Sequence, residues 1–368
     1  MPSRPTATLW RSMRGARLPF VLALVSVALA AFVSLLDPLV LRYALDTVLG
    51  GKEALLPEPL ARAIAALGGS SRSARALLLC ALALVATSLL NALFSFLRGI
   101  LSAWAAERTV KNLRDALASH LDALPSSYFG RMGMGDLVQR STSDVDTVRR
   151  FLATQVEEVG RAVFLLVLTV VMMASLDLPM TLVSIPIIPA VFGFSFLFFR
   201  KIQKAFRISD EAEAALTQVL AENLNGIRVV RAFAREDWEL GRFDERNRHY
   251  TEETRKLIVL FGWYWSVSVL ICAVQELVTI GTGAGRVASG LLTAGTYLAF
   301  IAWIGRVLWP VRQLGRTLTE VGKALVSLRR IDEVLGAPEE DADDEEAAIV
   351  ARREAVQQPT HRHSAALR

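Results

Sequence analysis

The chain has 368 residues, of which 53% are hydrophobic and only 21% are charged. Soluble domains carry about 25% charged residues, so the composition disfavours an ordinary soluble protein. It also excludes a disordered chain, because such chains have low hydrophobicity. The two cysteines, Cys80 and Cys272, are too few for a disulfide scaffold or a four-cysteine zinc site, and we expect no metal site.

Six apolar stretches predict membrane-spanning helices. A charge-free run of about 18 residues is long enough to cross a hydrocarbon core about 30 Å thick. The shortest stretch reaches this length only by extending past Arg161, whose side chain can snorkel. The predicted spans are 18–36, 76–97, 162–176, 178–199, 257–275 and 287–305.

The distribution of basic residues predicts the orientation. Residues 1–17 hold four arginines and no acid, segment 107–150 holds seven Lys/Arg, and segment 200–256 holds twelve. Positively charged loops stay in the cytoplasm. We therefore expect a multi-pass protein of the plasma (inner) membrane with both termini cytoplasmic. Nucleic-acid binding is not expected, because the basic residues are dispersed over several loops.

The two long cytoplasmic loops have the periodicity of α-helices. Leucines at 113, 117 and 121 repeat every four residues in the first loop, and Leu216, Val219 and Leu220 begin a similar pattern in the second. The sequence therefore predicts two helical hairpins that extend the spans into the cytoplasm. The fold class is all-α, with six spans and long cytoplasmic extensions.

Three regions follow from these patterns. Residues 1–17 form a cytoplasmic N-terminal segment, and residues 18–336 form the six-span domain. Gly336-Ala337-Pro338 ends the last helix, because glycine and proline stop helices. Seven of the eight residues in 339–346 are acidic, so residues 337–368 are expected to be an acidic linker and a disordered tail.

Several motifs in these loops together resemble a known family. The first loop contains Asn112-Leu113-Arg114, a Leu-Pro followed by Tyr128-Phe129, and a Gly-Asp-Leu followed by an arginine at 135–140. The second loop reads Glu-Asn-Leu-Asn-Gly-Ile-Arg-Val-Val-Arg-Ala-Phe at 222–233. In order and spacing, residues 15–336 resemble the transmembrane domain of ABC exporters of the bacterial multidrug and lipid-flippase type.

The resemblance implies a function and partners. In that family, two six-span halves pair as a homodimer or heterodimer around a central cavity. ATP hydrolysis on nucleotide-binding domains drives transport by alternating access. The present chain would then be a permease subunit that moves amphiphilic or lipid-like substrates, with a second half-transporter, an ATPase subunit or domain and the lipid membrane as partners.

The resemblance also implies where the ATPase domains dock, since short coupling helices at the loop tips contact them. The first tip is expected near 134–140 and the second near 210–218. The candidate coupling residues are Gly135, Asp136, Leu137, Arg140, Glu211, Glu213 and Thr217.

The sequence contains no nucleotide-binding motif. A P-loop requires Ser or Thr after Gly-Lys, but Glu53 follows Gly51-Lys52 and Ala324 follows Gly322-Lys323. No Leu-Ser-Gly-Gly-Gln signature occurs either. We therefore expect no catalytic residue and no cofactor on this chain, with ATP and magnesium on a partner nucleotide-binding domain.

Two other interpretations stay open. One is a truncated remnant or an interaction protein that does not transport. The other is an ion-coupled secondary transporter, which predicts acids in the middle of the spans. The acids closest to this requirement, Asp37, Asp177 and Glu276, all lie near the ends of apolar runs.

A candidate substrate cavity lies on the last span. Trp303, Arg306 and Trp309 follow one another in steps of three, which predicts one helical face. Such a face suits amphiphilic or anionic ligands, partly through cation–π contacts. The alternative is an interfacial tryptophan belt with a snorkelling arginine. The sequence does not identify the substrate.

Overall fold

The computed structural model describes residues 5–50 and 74–340, and every regular element in these ranges is helical. The helices are α1 (Pro5–Ser12), α2 (Arg17–Ser34), α3 (Asp37–Tyr43), α4 (Ala74–Asp122), α5 (Ser126–Met132), α6 (Met134–Gln139), α7 (Val145–Arg150), α8 (Val156–Leu176), α9 (Leu178–Ser184), α10 (Ile187–Ala232), α11 (Glu236–Ala288) and α12 (Ala294–Leu335). The π-helical turns Ala44–Leu49, Arg140–Asp144 and Phe151–Gln155 continue α3, α6 and α7. The all-α fold class is confirmed.

The prediction of six spans is also confirmed. Within the described ranges, six helical segments are long and apolar enough to cross a membrane. The first five contain their predicted spans, but the sixth prediction, 287–305, begins too early. Gly290 has φ +74° in a turn between α11 and α12. Hydropathy does not detect this turn, because residues 287–293 contain no charged side chain.

Both predicted cytoplasmic extensions are helical. α4 continues from the end of its span at Leu97 to Asp122, and α10 continues past Phe199 to Ala232. Most of the loop between the first two predicted spans, residues 51–73, lies outside the described residues. The same holds for the predicted tail beyond residue 340.

Proline and aspartate set the breaks around the fourth span. The Asp177 side chain accepts a hydrogen bond from Met180 N at 2.7 Å and so caps α9. Pro186, which has no N–H to donate, separates α9 from α10.

Backbone contacts divide the chain into two units. The first unit comprises residues 1–20, 102–153 and 322–368, of which only the described parts are considered. Its core contains the fully buried side chains of Leu113, Val145 and Ile331.

The predicted N-terminal segment contributes helix α1 to the first unit. The Asn112 side chain donates hydrogen bonds to the carbonyl oxygens of Ser12, at 2.8 Å, and Arg14, at 2.9 Å. The Thr8 hydroxyl donates to the buried Asp332 carboxylate. The segment that follows residue 4 is thus an ordered part of the fold.

The second unit comprises residues 21–101 and 154–321. Trp303, Phe300 and Met180, none of them exposed, lie at the centre of its largest apolar cluster. In the same unit α10 and α11 pack closely together. There the Tyr264 hydroxyl donates to the Arg312 carbonyl at 3.0 Å and lies 3.2 Å from Ser195 Oγ.

Gly315 permits close packing of α12 on α10. A Cβ at this position would lie 2.9 Å from the backbone carbonyl of Ser195, whereas a Cβ at Gly305 on the same helix would meet nothing within 4 Å. We expect Gly315→Ala to destabilise the protein by about 1–3 kcal/mol through overpacking. The measurement is thermal unfolding in lipid nanodiscs, followed by tryptophan fluorescence.

Gly305→Ala is the matched control. Removing a helical glycine where space is open gains up to about 1 kcal/mol. Equal melting temperatures for the two variants would contradict the close contact at Gly315.

Candidate functional site

The first loop reverses direction through a short helix. The chain turns between the end of α4 at Asp122 and the start of α6 at Met134, and α5 lies between them. Gly133, with φ +77°, joins α5 to α6. The predicted tip at 134–140 therefore lies just after the turn, at the beginning of the returning helix.

Most of the predicted coupling side chains in this loop make internal contacts. Leu137 is buried in the core of the first unit, and Arg140 is also buried. The Arg140 guanidinium donates to Asp136 Oδ2 at 2.9 Å, to Glu333 Oε2 at 3.0 Å and to the Arg330 carbonyl at 2.9 Å. Of these residues, only Gly135 is fully exposed.

A second contact joins the same segment to α12. The buried Asp144 carboxylate accepts a hydrogen bond from Ser327 Oγ at 2.7 Å and lies 3.8 Å from Arg330 Nη1. Asp144 and Arg140 together fix the beginning of the returning helix to the end of α12. These are contacts within the first unit.

Asp146, nearby, forms a more exposed ion-pair cluster. A hydrogen bond from Arg149 at 2.7 Å is the main reason that the pKa of the Asp146 carboxyl lies below its usual value, and Arg150 lowers it further. Exposed pairs of this kind contribute about 0–1 kcal/mol. They therefore stabilise the local helix only weakly.

The predicted position of the second tip, 210–218, is wrong. Glu211, Glu213 and Thr217 lie in the interior of α10, which continues to Ala232. The turn lies at 233–235, about 24 Å further along the helix axis at 1.5 Å per residue. No helix-breaking residue occurs near 217, so the helix has no reason to end there.

The actual turn has an apolar surface. Phe233 is 74% exposed and Trp238 is 57% exposed, and Leu240 is also exposed. Ala234 adopts φ +49°, which a residue with a Cβ rarely does. Large apolar side chains on such a turn mark a surface that another molecule covers.

The three residues of the predicted cavity face lie in different surroundings. Trp303 has no exposed surface, packs in the core and donates its Nε1–H to the Leu35 carbonyl at 3.1 Å. Trp309 is 55% exposed. The prediction that these residues share one helical face is wrong. Trp303 and Trp309 are six residues apart, and at about 100° per residue this separation places them about 120° apart around the helix.

Arg306 does line a cavity in the second unit. The cavity has a volume of about 230 Å³, and three arginines meet there from α4, α8 and α12. Its polar lining consists of Ser34, Asn91, Ser95, Arg98, Arg161 and Arg306.

Two of these arginines are only partly satisfied by carboxylates. Arg306 Nη2 lies 2.9 Å from Asp37, and Arg98 Nη1 lies 2.8 Å from Glu157. Arg306 Nη1 and Arg98 Nε are buried without a hydrogen-bond partner. Arg161 has neither an ion pair nor a hydrogen bond with any residue that the structure describes. The cavity therefore has unused donors and one excess positive charge.

Sequence reasoning missed Arg312. Its residue is only 8% exposed, and its guanidinium carbon lies 4.9 Å from the centre of the Trp265 ring and 5.7 Å from that of Trp309. Its Nε and Nη2 have no hydrogen-bond partner. The two indoles stack on each other at 5.7 Å. A cation beside two stacked indole rings is recognisable only from the contact between α11 and α12.

Comparison with known proteins identifies the family. The model of the ABC transporter transmembrane region matches residues 20–311. Among similar proteins, YgaD of Bacillus subtilis, which is named as a multidrug export ATP-binding/permease protein, is 25% identical over 81% of this chain and 49% of its own length.

Two further relatives have the same extent of similarity. YknU of Bacillus subtilis, named as an ABC transporter ATP-binding protein, is 25% identical over 90% of this chain and 53% of its own length. A Staphylococcus aureus multidrug export ATP-binding/permease protein is 24% identical over 76% and 46%. The chain thus spans about half the length of the curated relatives it matches. It belongs to the ABC transporter transmembrane region family and is a multi-pass membrane protein.

Proposed function

We propose that this chain is the permease half of an ABC exporter, which moves an amphiphilic or lipid-like substrate by alternating access. ATP and magnesium bind to a nucleotide-binding domain outside this sequence, and hydrolysis there drives the cycle. The observation that carries the proposal is the arginine-lined cavity within a six-span domain of this family. Both termini are cytoplasmic in this proposal, as the positive loops require.

The chemistry of the cavity favours a substrate with an anionic head group. Buried donors without acceptors cost about 1–3 kcal/mol each, and an oxyanion satisfies several guanidiniums at once. The apolar part of the same substrate fits the walls formed by Val27, Ala31 and Leu165. Arg312, which lies beside the stacked rings of Trp265 and Trp309, is a further cation in this unit, and among the described residues no carboxylate forms an ion pair with it.

Exposed apolar side chains on the extensions of α10 and α11 support the proposed partners. Leu224, Val229 and Phe233 are each more than 60% exposed on the cytoplasmic part of α10, where lipid does not reach in the predicted topology. Water-exposed apolar surface of this kind is covered by protein. We assign it to a second six-span half-transporter and, at the 233–235 turn, to the ATPase subunit or domain.

The first prediction concerns the anionic head group. Arg161→Gln removes a cavity cation without leaving a carboxylate unpaired, and Asp37→Asn combined with Arg306→Gln removes a second cation together with its partner. We expect each change to weaken binding of fluorescent phosphatidic acid about tenfold, which corresponds to the loss of about 1.4 kcal/mol. Binding is measured by titration of the detergent-purified protein.

Arg200→Gln is the control, because Arg200 lies on α10 outside the cavity and is exposed. Fluorescent phosphatidylcholine is the control ligand, since its head group has no net charge. A uniform loss of both lipids, or none, would rule out head-group recognition by the cavity.

The second prediction concerns ATPase docking. We expect Phe233→Ser to reduce the amount of P-loop ATPase that co-purifies with the tagged chain from native membranes, because an apolar contact is lost at the turn. Glu213→Gln should leave it unchanged, since Glu213 lies in the interior of α10 about 30 Å from the turn. Quantitative mass spectrometry of the co-purified proteins measures both.

Two outcomes contradict this docking site. A loss of ATPase with Glu213→Gln but not with Phe233→Ser would return the docking site to 210–218. The absence of any ATPase from the wild-type preparation would remove the exporter proposal itself.

A further inference from the structure

The segment that follows α12 is bound to the end of α4 within the first unit. Glu340 N donates to the Ala123 carbonyl at 2.8 Å. The two remaining contacts both come from one side chain, His120, which lies in the last turn of α4. One imidazole therefore supplies both side-chain contacts that hold residues 337–340 to the end of α4.

Both ring nitrogens of His120 face acceptors. Nδ1 lies 2.9 Å from Glu339 Oε1, and Nε2 lies 3.1 Å from the Ala337 carbonyl oxygen. A carbonyl oxygen cannot donate, and an ionised carboxylate accepts only. Both contacts are hydrogen bonds only when both nitrogens carry protons, that is, when His120 is an imidazolium.

The neutral imidazole keeps one contact at most. With its proton on Nε2 it binds Ala337, and the Nδ1 lone pair then faces the Glu339 carboxylate. With its proton on Nδ1 it binds Glu339, and Nε2 faces the carbonyl oxygen without a proton. The His120 side chain is only 12% exposed, so water compensates poorly for the lost bond.

Charged groups of both signs surround His120. A cavity of about 520 Å³ adjoins His120, and its charged lining consists of Arg11 from α1, Asp332 from α12 and Glu339 from the segment itself. Asp332 already accepts a hydrogen bond from Thr8. Two carboxylates thus face one arginine and the imidazole. The C-terminal end of α4 adds the negative end of a helix dipole.

We propose that His120 is a proton-operated clamp that fixes residues 337–340 to the end of α4 at acidic pH and releases them as the pH rises. The ordinary charge change of a histidine side chain falls between pH 5 and 8. This consequence rests on the proposed function: residues 337–340 follow α12, and the clamp makes the position of this segment relative to the ATPase partner pH-dependent. The clamp itself requires neither substrate nor ATPase.

Hydrogen–deuterium exchange tests the clamp on the full chain in lipid nanodiscs. Exchange of the peptide containing residues 337–340 is compared at pH 6 and pH 8, after correction for the intrinsic pH dependence of amide exchange. We expect protection to fall about three- to tenfold at pH 8, the range for the loss of one hydrogen bond. The α4 peptide 105–118 reports whether the unit stays folded.

Variants separate the clamp from general pH effects. His120→Ala should give low protection at both pH values, and His120→Arg, a permanent cation beside a roomy cavity, should give high protection at both. Glu339→Gln should remove the pH dependence while keeping protection, because an amide can donate to or accept from Nδ1. His249→Ala, an exposed histidine on α11, should behave as the wild type.

The proposal is overturned if wild-type protection is the same at both pH values, or if the pH dependence persists in His120→Ala. Because no nucleotide or transported substrate is present, such a result leaves the exporter proposal untouched. A missing ATPase partner, in turn, leaves the clamp untouched.

Discussion

A charge placed among apolar helices needs a partner of opposite sign, and the second unit is built around that constraint. An arginine at the centre of a bilayer costs about 2.5–3.5 kcal/mol even on the mildest scales. Arg306 pairs with Asp37, Arg98 with Glu157 and Arg286 with Asp177. Each pair joins separate helical elements, so a slip of one helix against another leaves a charge uncompensated. The same pairs leave the unused donors that define the cavity.

In the first unit, buried charges also have partners, and these contacts hold the end of α12. Its buried charges, Arg140, Asp144 and Asp332, all have partners close to the end of α12. Hydrogen bonds to charged groups, which are stronger than neutral ones, therefore join the returning part of the first loop to α12. Asp136 and Arg140 thus take part in the internal contacts of the first unit. His120 adds a link of the same kind that depends on a proton.

The sequence was sufficient for features that one segment determines alone. Apolar run length predicted the six spans, and helical periodicity predicted the extension of α4 past Leu97. The sequence was insufficient where contacts between distant segments determine the position of a turn or the surroundings of a side chain. The turn at 233–235 contains neither glycine nor proline, and Ala234 accepts a positive φ there, so no local signal marked it. Arg312 has no local signal either, because the ring that it contacts, Trp265, belongs to another helix, α11.

The ion pairs also bear on the alternative interpretation of the chain as an ion-coupled transporter. An ion-coupled transporter needs a membrane acid that is free to exchange its proton or cation during the cycle. Asp37 accepts from both Arg306 and Thr87, and Asp177 from both Arg286 and the Met180 amide. Glu276 lies on an exposed face of α11. Two of the three candidate acids are thus committed to fixing helices, and the third lies on an outer surface rather than in the cavity. The unused groups in the cavity are cations, and these do not bind a coupling cation.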